Sequence, residues 1–189
     1  MPPAETYRHI TVRPEAEGFG AAVTGLRLSE PLPPGVLDEV KRAWTRHSVV
    51  YFPDQPLTHA QLEAFTRLIG PFGHDPYAKP LEGHPHILEV RREPEETSRR
   101  FGATWHSDWS FLETPPAATL LHAKVTPPVG GDTLFADAYR AYESLSPSMR
   151  RLLDSVLPLL WLILVLRFVN RSTGLPPKLT DALGLILLA

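Results

Sequence analysis

Apolar residues recur at helical spacing twice in the first third of the chain. Val36, Leu37, Val40, Ala43 and Trp44 make one stripe, which predicts a helix starting near Pro34. Leu62, Phe65 and Ile69 make a second. It opens at Thr58, where Thr58 and Gln61 form a capping-box pattern, and Gly70 ends it. Between the two, Ser48-Val49-Val50-Tyr51-Phe52 is a β-branched and aromatic run closed by Pro53-Asp54, a strand followed by a turn. His9-Ile10-Thr11-Val12 predicts an earlier short strand, with a Gly-containing turn region running on to Gly25.

From Ile87 the helical spacing gives way to alternation and to short runs bounded by Pro and Gly. Strands are expected at Ile87–Arg91, Trp105–Phe111, Ala118–Val125 and Thr133–Ala136, with a polar loop from Arg92 to Gly102. Asp137 can cap a short helix through Leu145, and Ser146-Pro147 opens another with Ser at the N-cap and Pro at the first helical position. Short punctuated strands with helices outside point to a sandwich or jelly roll. After Ser155 the character breaks. Val156 to Leu166 carries no charge and contains Pro158, yet it is shorter than the roughly 20 apolar residues a spanning helix needs.

Composition narrows the classes. With 189 residues, 43% hydrophobic and 21% charged, the chain can bury a core of its own. A formal charge of −2 and no basic stripe argue against a nucleic-acid partner. There is no cysteine, which removes disulfide frameworks, thiolate metal sites and Cys nucleophiles. The first residues lack the basic-then-apolar pattern of a signal peptide, so a cytoplasmic location is expected. The apolar run lacks a Lys- or Arg-rich polar face, so no membrane association is expected either.

The chemistry concentrates in Thr104-Trp105-His106-Ser107-Asp108. In an extended strand alternate side chains share a face, so His106 and Asp108 would point together while Ser107 points away. A neutral imidazole and a carboxylate on one side of a divalent ion are two-thirds of the facial triad of non-haem Fe(II) oxygenases. The triplet alone is a weak signal, because eight histidines offer many chance matches. His84 and His86 also alternate, but Pro85 between them and no nearby carboxylate partner make them loop residues. His9, His47 and His59 sit at element ends, and His122 reads as structural.

The context of the triplet adds weight. Trp105-His106-Ser107-Asp108, then Phe111-Leu112-Glu113-Thr114-Pro115-Pro116, then Gly130-Gly131-Asp132-Thr133-Leu134-Phe135 resemble, in order and separation, the TauD/TfdA (taurine dioxygenase-like) family of Fe(II)- and 2-oxoglutarate-dependent dioxygenases. The likeness extends from about Ile10 to Val156. It implies that His106 and Asp108 are the first two iron ligands and that Thr133 helps to hold the carboxylate of 2-oxoglutarate. It places Trp109, His74 and Tyr77 on the substrate side. The implied cofactors are Fe(II), 2-oxoglutarate as co-substrate, and O2. The implied reaction oxidises a small acidic organic molecule (a sulfonate, sulfate ester or aryloxy acid) while 2-oxoglutarate loses CO2 to become succinate. The expected partner is that small molecule, with homo-oligomer formation left open.

One departure stands out. The family completes its site with a distal histidine and an arginine just beyond it, and here no histidine follows His122, so the third ligand is absent. The expected fold is therefore α+β, an incomplete double-stranded β-helix (jelly roll) with flanking helices. Residues 1–156 read as the N-terminal part of a dioxygenase domain, C-terminally truncated or with an altered ending. Residues 157–189 read as a divergent apolar tail. The alternative reading is a non-catalytic remnant, or a partner that donates strands to a full-length relative.

Overall fold

Glu39, a charged residue on an otherwise apolar helix face, decides where the first strand begins. The helix is α1 (Pro34–His47), and it buries Glu39 beside Val40, Ala43 and His47. The Glu39 carboxylate accepts the backbone N–H groups of Arg8, His9 and Ile10 at 2.7, 2.8 and 3.2 Å. Those amides cannot join a ladder, so β1 spans Thr11–Pro14 rather than the expected His9–Val12. The computed structural model describes residues 6–15, 18–75, 77–93, 95–97, 102, 104–110 and 112–156. It divides into two units, residues 1–132 and 133–189, and the tail at 157–189 lies outside the described residues.

In the first unit, β1 pairs antiparallel with β2 (Ala21–Thr24), with Thr11 opposite Thr24 and Pro14 opposite Ala21. On its other edge β2 pairs parallel with β3 (Val50–Tyr51), Ala21 opposite Val50. A parallel pair needs a crossover, and α1 supplies it. β3 is shorter than the run 48–52 because Ser48 adopts a positive φ of 63° and Pro53 has no N–H to offer. His47, at the end of α1, reaches back through Nδ1 to the Gly18 carbonyl at 3.0 Å. Ile10, Val23, Val40 and Ala43 form the core under this sheet, with Val12, Val36 and Phe52 packed around it.

The second helix, α2 (His59–Ile69), begins at the expected box. Thr58 Oγ1 accepts the Gln61 N–H at 3.2 Å, while Gln61 Oε1 accepts the Thr58 N–H at 2.9 Å. Gly70 ends it in an extended conformation, not a left-handed cap, with its N–H bonded to the Thr66 carbonyl. Phe65 is buried with Leu28 and Leu57 in a second cluster and meets Phe52 edge-to-face at 5.7 Å. Leu120 packs on the same cluster, which ties the segment after residue 118 to the core.

The strands expected at Ile87–Arg91, Trp105–Phe111 and Ala118–Val125 do not form ladders among the described residues. Neither does Thr133–Ala136 in the second unit. A strand cannot satisfy its own N–H and C=O groups, so extended backbone without a neighbour keeps them in solvent. Leu121, Val125, Leu134 and Phe135 are correspondingly exposed. The described part of the second unit holds helices: α3 (Ala138–Glu143), capped by Asp137, ends two residues before the expected Leu145. Residues 147–156 are helical as well, with Ser146 Oγ accepting the Met149 N–H. No helix among the described residues is long and apolar enough to cross a membrane.

Candidate metal centre

His106 and Asp108 meet, though not for the reason the alternation suggests. The segment is an irregular loop, and Trp109 takes a positive φ of 47° that no strand accommodates. The two side chains still converge, with His106 Nε2 3.2 Å from Asp108 Oδ1. Ser107 makes a different bond, its Oγ 2.8 Å from that of Ser110. Both ends of the pair are braced. His106 Nδ1 lies 2.7 Å from the Thr104 carbonyl, and the Thr119 hydroxyl donates to Asp108 Oδ2 at 2.9 Å.

These braces fix the chemistry. A carbonyl can only accept, so Nδ1 carries the proton of the neutral ring and Nε2 holds the lone pair. Nε2 thus faces a carboxylate oxygen at ion-pair distance: a proton on Nε2 would bridge the two atoms, and a divalent cation bound to both would take that proton's place. Ligands about 2.1 Å from one ion, at right angles around it, stand about 3.0 Å apart. The pair thus already has the separation of neighbouring positions on a single divalent ion. A backbone carbonyl behind the imidazole and a hydroxyl behind the carboxylate are the outer partners that orient metal ligands. Both side chains are about half exposed, so an ion can reach them. Among the described residues no set of three or more His, Asp or Glu side chains is gathered around one point.

The other expected residues are distributed unevenly. Trp109 is half-buried, and its Nε1–H donates to Asp75 Oδ2 at 3.1 Å. His74 and Tyr77 are exposed, and Asp75, through Trp109, links their loop to the centre. Asp75 Oδ1 accepts the N–H groups of Tyr77 and Ala78 at 2.7 and 2.8 Å. The Ala78 and Tyr77 amides hold its carboxyl below the usual aspartate range, with smaller help from Trp109 and His74. Thr133 is an exposed residue of the second unit, in the stretch before α3. Asp75 and Thr119 were missed by sequence reasoning. Asp75-Pro76-Tyr77 carries a turn signal that could have drawn attention to Asp75, since Asp before Pro bonds to the backbone two residues on. Nothing local marks Thr119.

Several of the other histidines have structural partners. His84, expected to lack a carboxylate, has one: its Nδ1 lies 3.1 Å from Glu63 Oε2 on α2, and its ring meets His59 edge-on at 4.9 Å. His86 stacks on Phe72 with centroids 3.9 Å apart. His122 Nε2 donates to the Gln55 carbonyl at 3.2 Å, in keeping with a structural role.

Residues 11–158 match the family described as taurine catabolism dioxygenase TauD, TfdA family. The chain is 31% identical over 149 residues to an alpha-ketoglutarate-dependent sulfate ester dioxygenase of Pseudomonas putida, a match covering 78% of this chain and 48% of that protein. It is likewise 31% identical over 140 residues to the (S)-phenoxypropionate/alpha-ketoglutarate-dioxygenase of Sphingobium herbicidovorans, covering 73% and 48%. A crystal structure of a taurine dioxygenase from Burkholderia xenovorans superposes with a TM-score of 0.68 at 33% identity, covering 78% of this chain and 51% of that one. The chain spans about half the length of the curated relatives it matches.

Proposed function

The chain belongs to the TauD/TfdA family of taurine catabolism dioxygenases, and from that premise we propose that His106 and Asp108 are two of the ligands of a ferrous ion. The observation that carries this reading is the 3.2 Å approach of Nε2 and Oδ1 with Nδ1 committed to a backbone carbonyl. A ferrous ion bound there would supply the site at which 2-oxoglutarate and O2 react, yielding succinate and CO2 and oxidising the substrate.

Each residue then has a task in holding or orienting. His106 presents Nε2 as a neutral donor because Thr104 keeps the proton on Nδ1. Asp108 presents Oδ1 because Thr119 occupies Oδ2. Thr133 contributes its hydroxyl to the carboxylate of the co-substrate. Trp109, His74 and Tyr77 face the substrate, whose class we take to be a small acid such as a sulfonate, sulfate ester or aryloxy acid. The acidic compounds in the relatives' names support that class. In this reading residues 1–156 carry the N-terminal part of the jelly-roll domain, the sequence of 157–189 is a divergent apolar tail, and the location is cytoplasmic. The family match does not favour the alternative of a non-catalytic strand donor.

The test is succinate release from the purified chain supplied with Fe(II), ascorbate and 2-oxoglutarate. Turnover above that of a His106→Ala control supports the assignment. Equal rates for the two proteins refute it for this chain.

A further inference from the structure

Trp109 holds a backbone conformation that a large side chain seldom adopts, directly beside a ligand. Left-handed backbone at a bulky residue is strained and persists only where surrounding contacts hold it. Locally the Trp109 carbonyl accepts the Leu112 N–H at 3.1 Å, and the side chain is held from 34 positions away, by the bond from the indole Nε1–H to Asp75 Oδ2. The Asp75 carboxylate is itself immobilised, because its other oxygen takes two backbone N–H groups in a tight turn. One oxygen is thus committed to the turn and the other to the indole.

We propose that Asp75 is a positioning residue for the metal centre: by gripping the Trp109 indole it fixes the left-handed turn that aims the adjoining Asp108 carboxylate at His106. The proposal rests on the reading of His106 and Asp108 as ligands and extends it to a residue that touches neither. It also gives the loop of His74 and Tyr77 a mechanical tie to the centre, since the same carboxylate closes the turn containing Tyr77.

Asp75→Asn separates this role from simple loop-building. Asn has one acceptor oxygen where Asp has two. If that oxygen keeps the turn, the amide NH2 faces the indole N–H, donor against donor, and the grip is lost. Trp109→Phe removes the donor from the other side and leaves the Asp75 turn intact. In the full chain titrated with Co(II) alone and followed by its visible absorption, each single substitution should weaken binding about tenfold, the scale of an outer partner of a metal ligand. The double variant should bind no more weakly than either single one, because both break the same bond. Near-ultraviolet circular dichroism should show the same loss of indole asymmetry in Asp75→Asn with the melting temperature unchanged.

Asp75→Asn binding Co(II) within twofold of the original chain, with His106→Ala abolishing binding, would overturn the proposal and leave the ligand assignment standing. Penalties that multiply in the double variant would overturn it too. Binding that His106→Ala does not alter would defeat the ligand assignment itself, and this inference with it.

Discussion

Thr119→Val isolates one brace of the metal centre. Val keeps the shape of Thr and removes only the hydroxyl, which donates to Asp108 Oδ2 over 2.9 Å. A bond to a carboxylate is charge-assisted, but Asp108 is 41% exposed, so water replaces part of what is lost. The net effect is on the order of 1 kcal/mol, which corresponds to about a fivefold rise in the dissociation constant for a divalent ion. The penalty falls on binding and not on folding. Thr119 itself is exposed, while its neighbour Leu120 anchors the segment through the Leu28, Leu57 and Phe65 cluster. Calorimetric titration with Mn(II) measures the affinity, thermal melting checks the fold, and Thr119→Ser, which retains the hydroxyl, should bind like the original. Unchanged affinity in Thr119→Val, or equal losses in the Val and Ser variants, would refute the idea that this hydroxyl orients the ligand.

Other expectations follow from the packing and the charges. Phe65→Ala should cost about 3–5 kcal/mol in urea unfolding, because it empties the centre of the second cluster and removes the edge-to-face contact with Phe52. Thr58→Ala should cost about 1 kcal/mol in the same assay by opening the capping box of α2. Glu39→Gln should lower the melting temperature at neutral pH. Burial works against ionisation of Glu39, but the Arg8, His9 and Ile10 amides outweigh it and hold the carboxyl below its ordinary value of 4.5. A lowered native value means the stabilisation is complete above the ordinary range and fades as pH falls through the native one. The gap in melting temperature between the original and Glu39→Gln should therefore close in acid; a gap that widens there would contradict the assignment.

What could be read from the sequence, and what could not, divides by the range of the forces involved. The two main helices were legible because spacing and caps are local. Val40, Ala43 and Phe65 are buried as the stripes require, and both arms of the Thr58–Gln61 box are made. The meeting of His106 and Asp108 was legible because only one residue separates them, even though the strand invoked to explain it is not there. The later strands failed because a ladder depends on a distant neighbour that local alternation cannot report. The start of β1 moved because Glu39, about thirty positions away, takes the amides that a strand would use. Asp75 on Trp109 and Glu63 on His84 are likewise contacts between distant positions that no motif announces.

Whether His106 and Asp108 hold one divalent ion together is tested most directly by a competition-free titration of the full chain with Co(II). A visible absorption band of bound Co(II) that saturates at one ion per chain, and that is lost in both His106→Ala and Asp108→Ala, is the predicted result. A band that survives either substitution, or no band at any concentration, would contradict it.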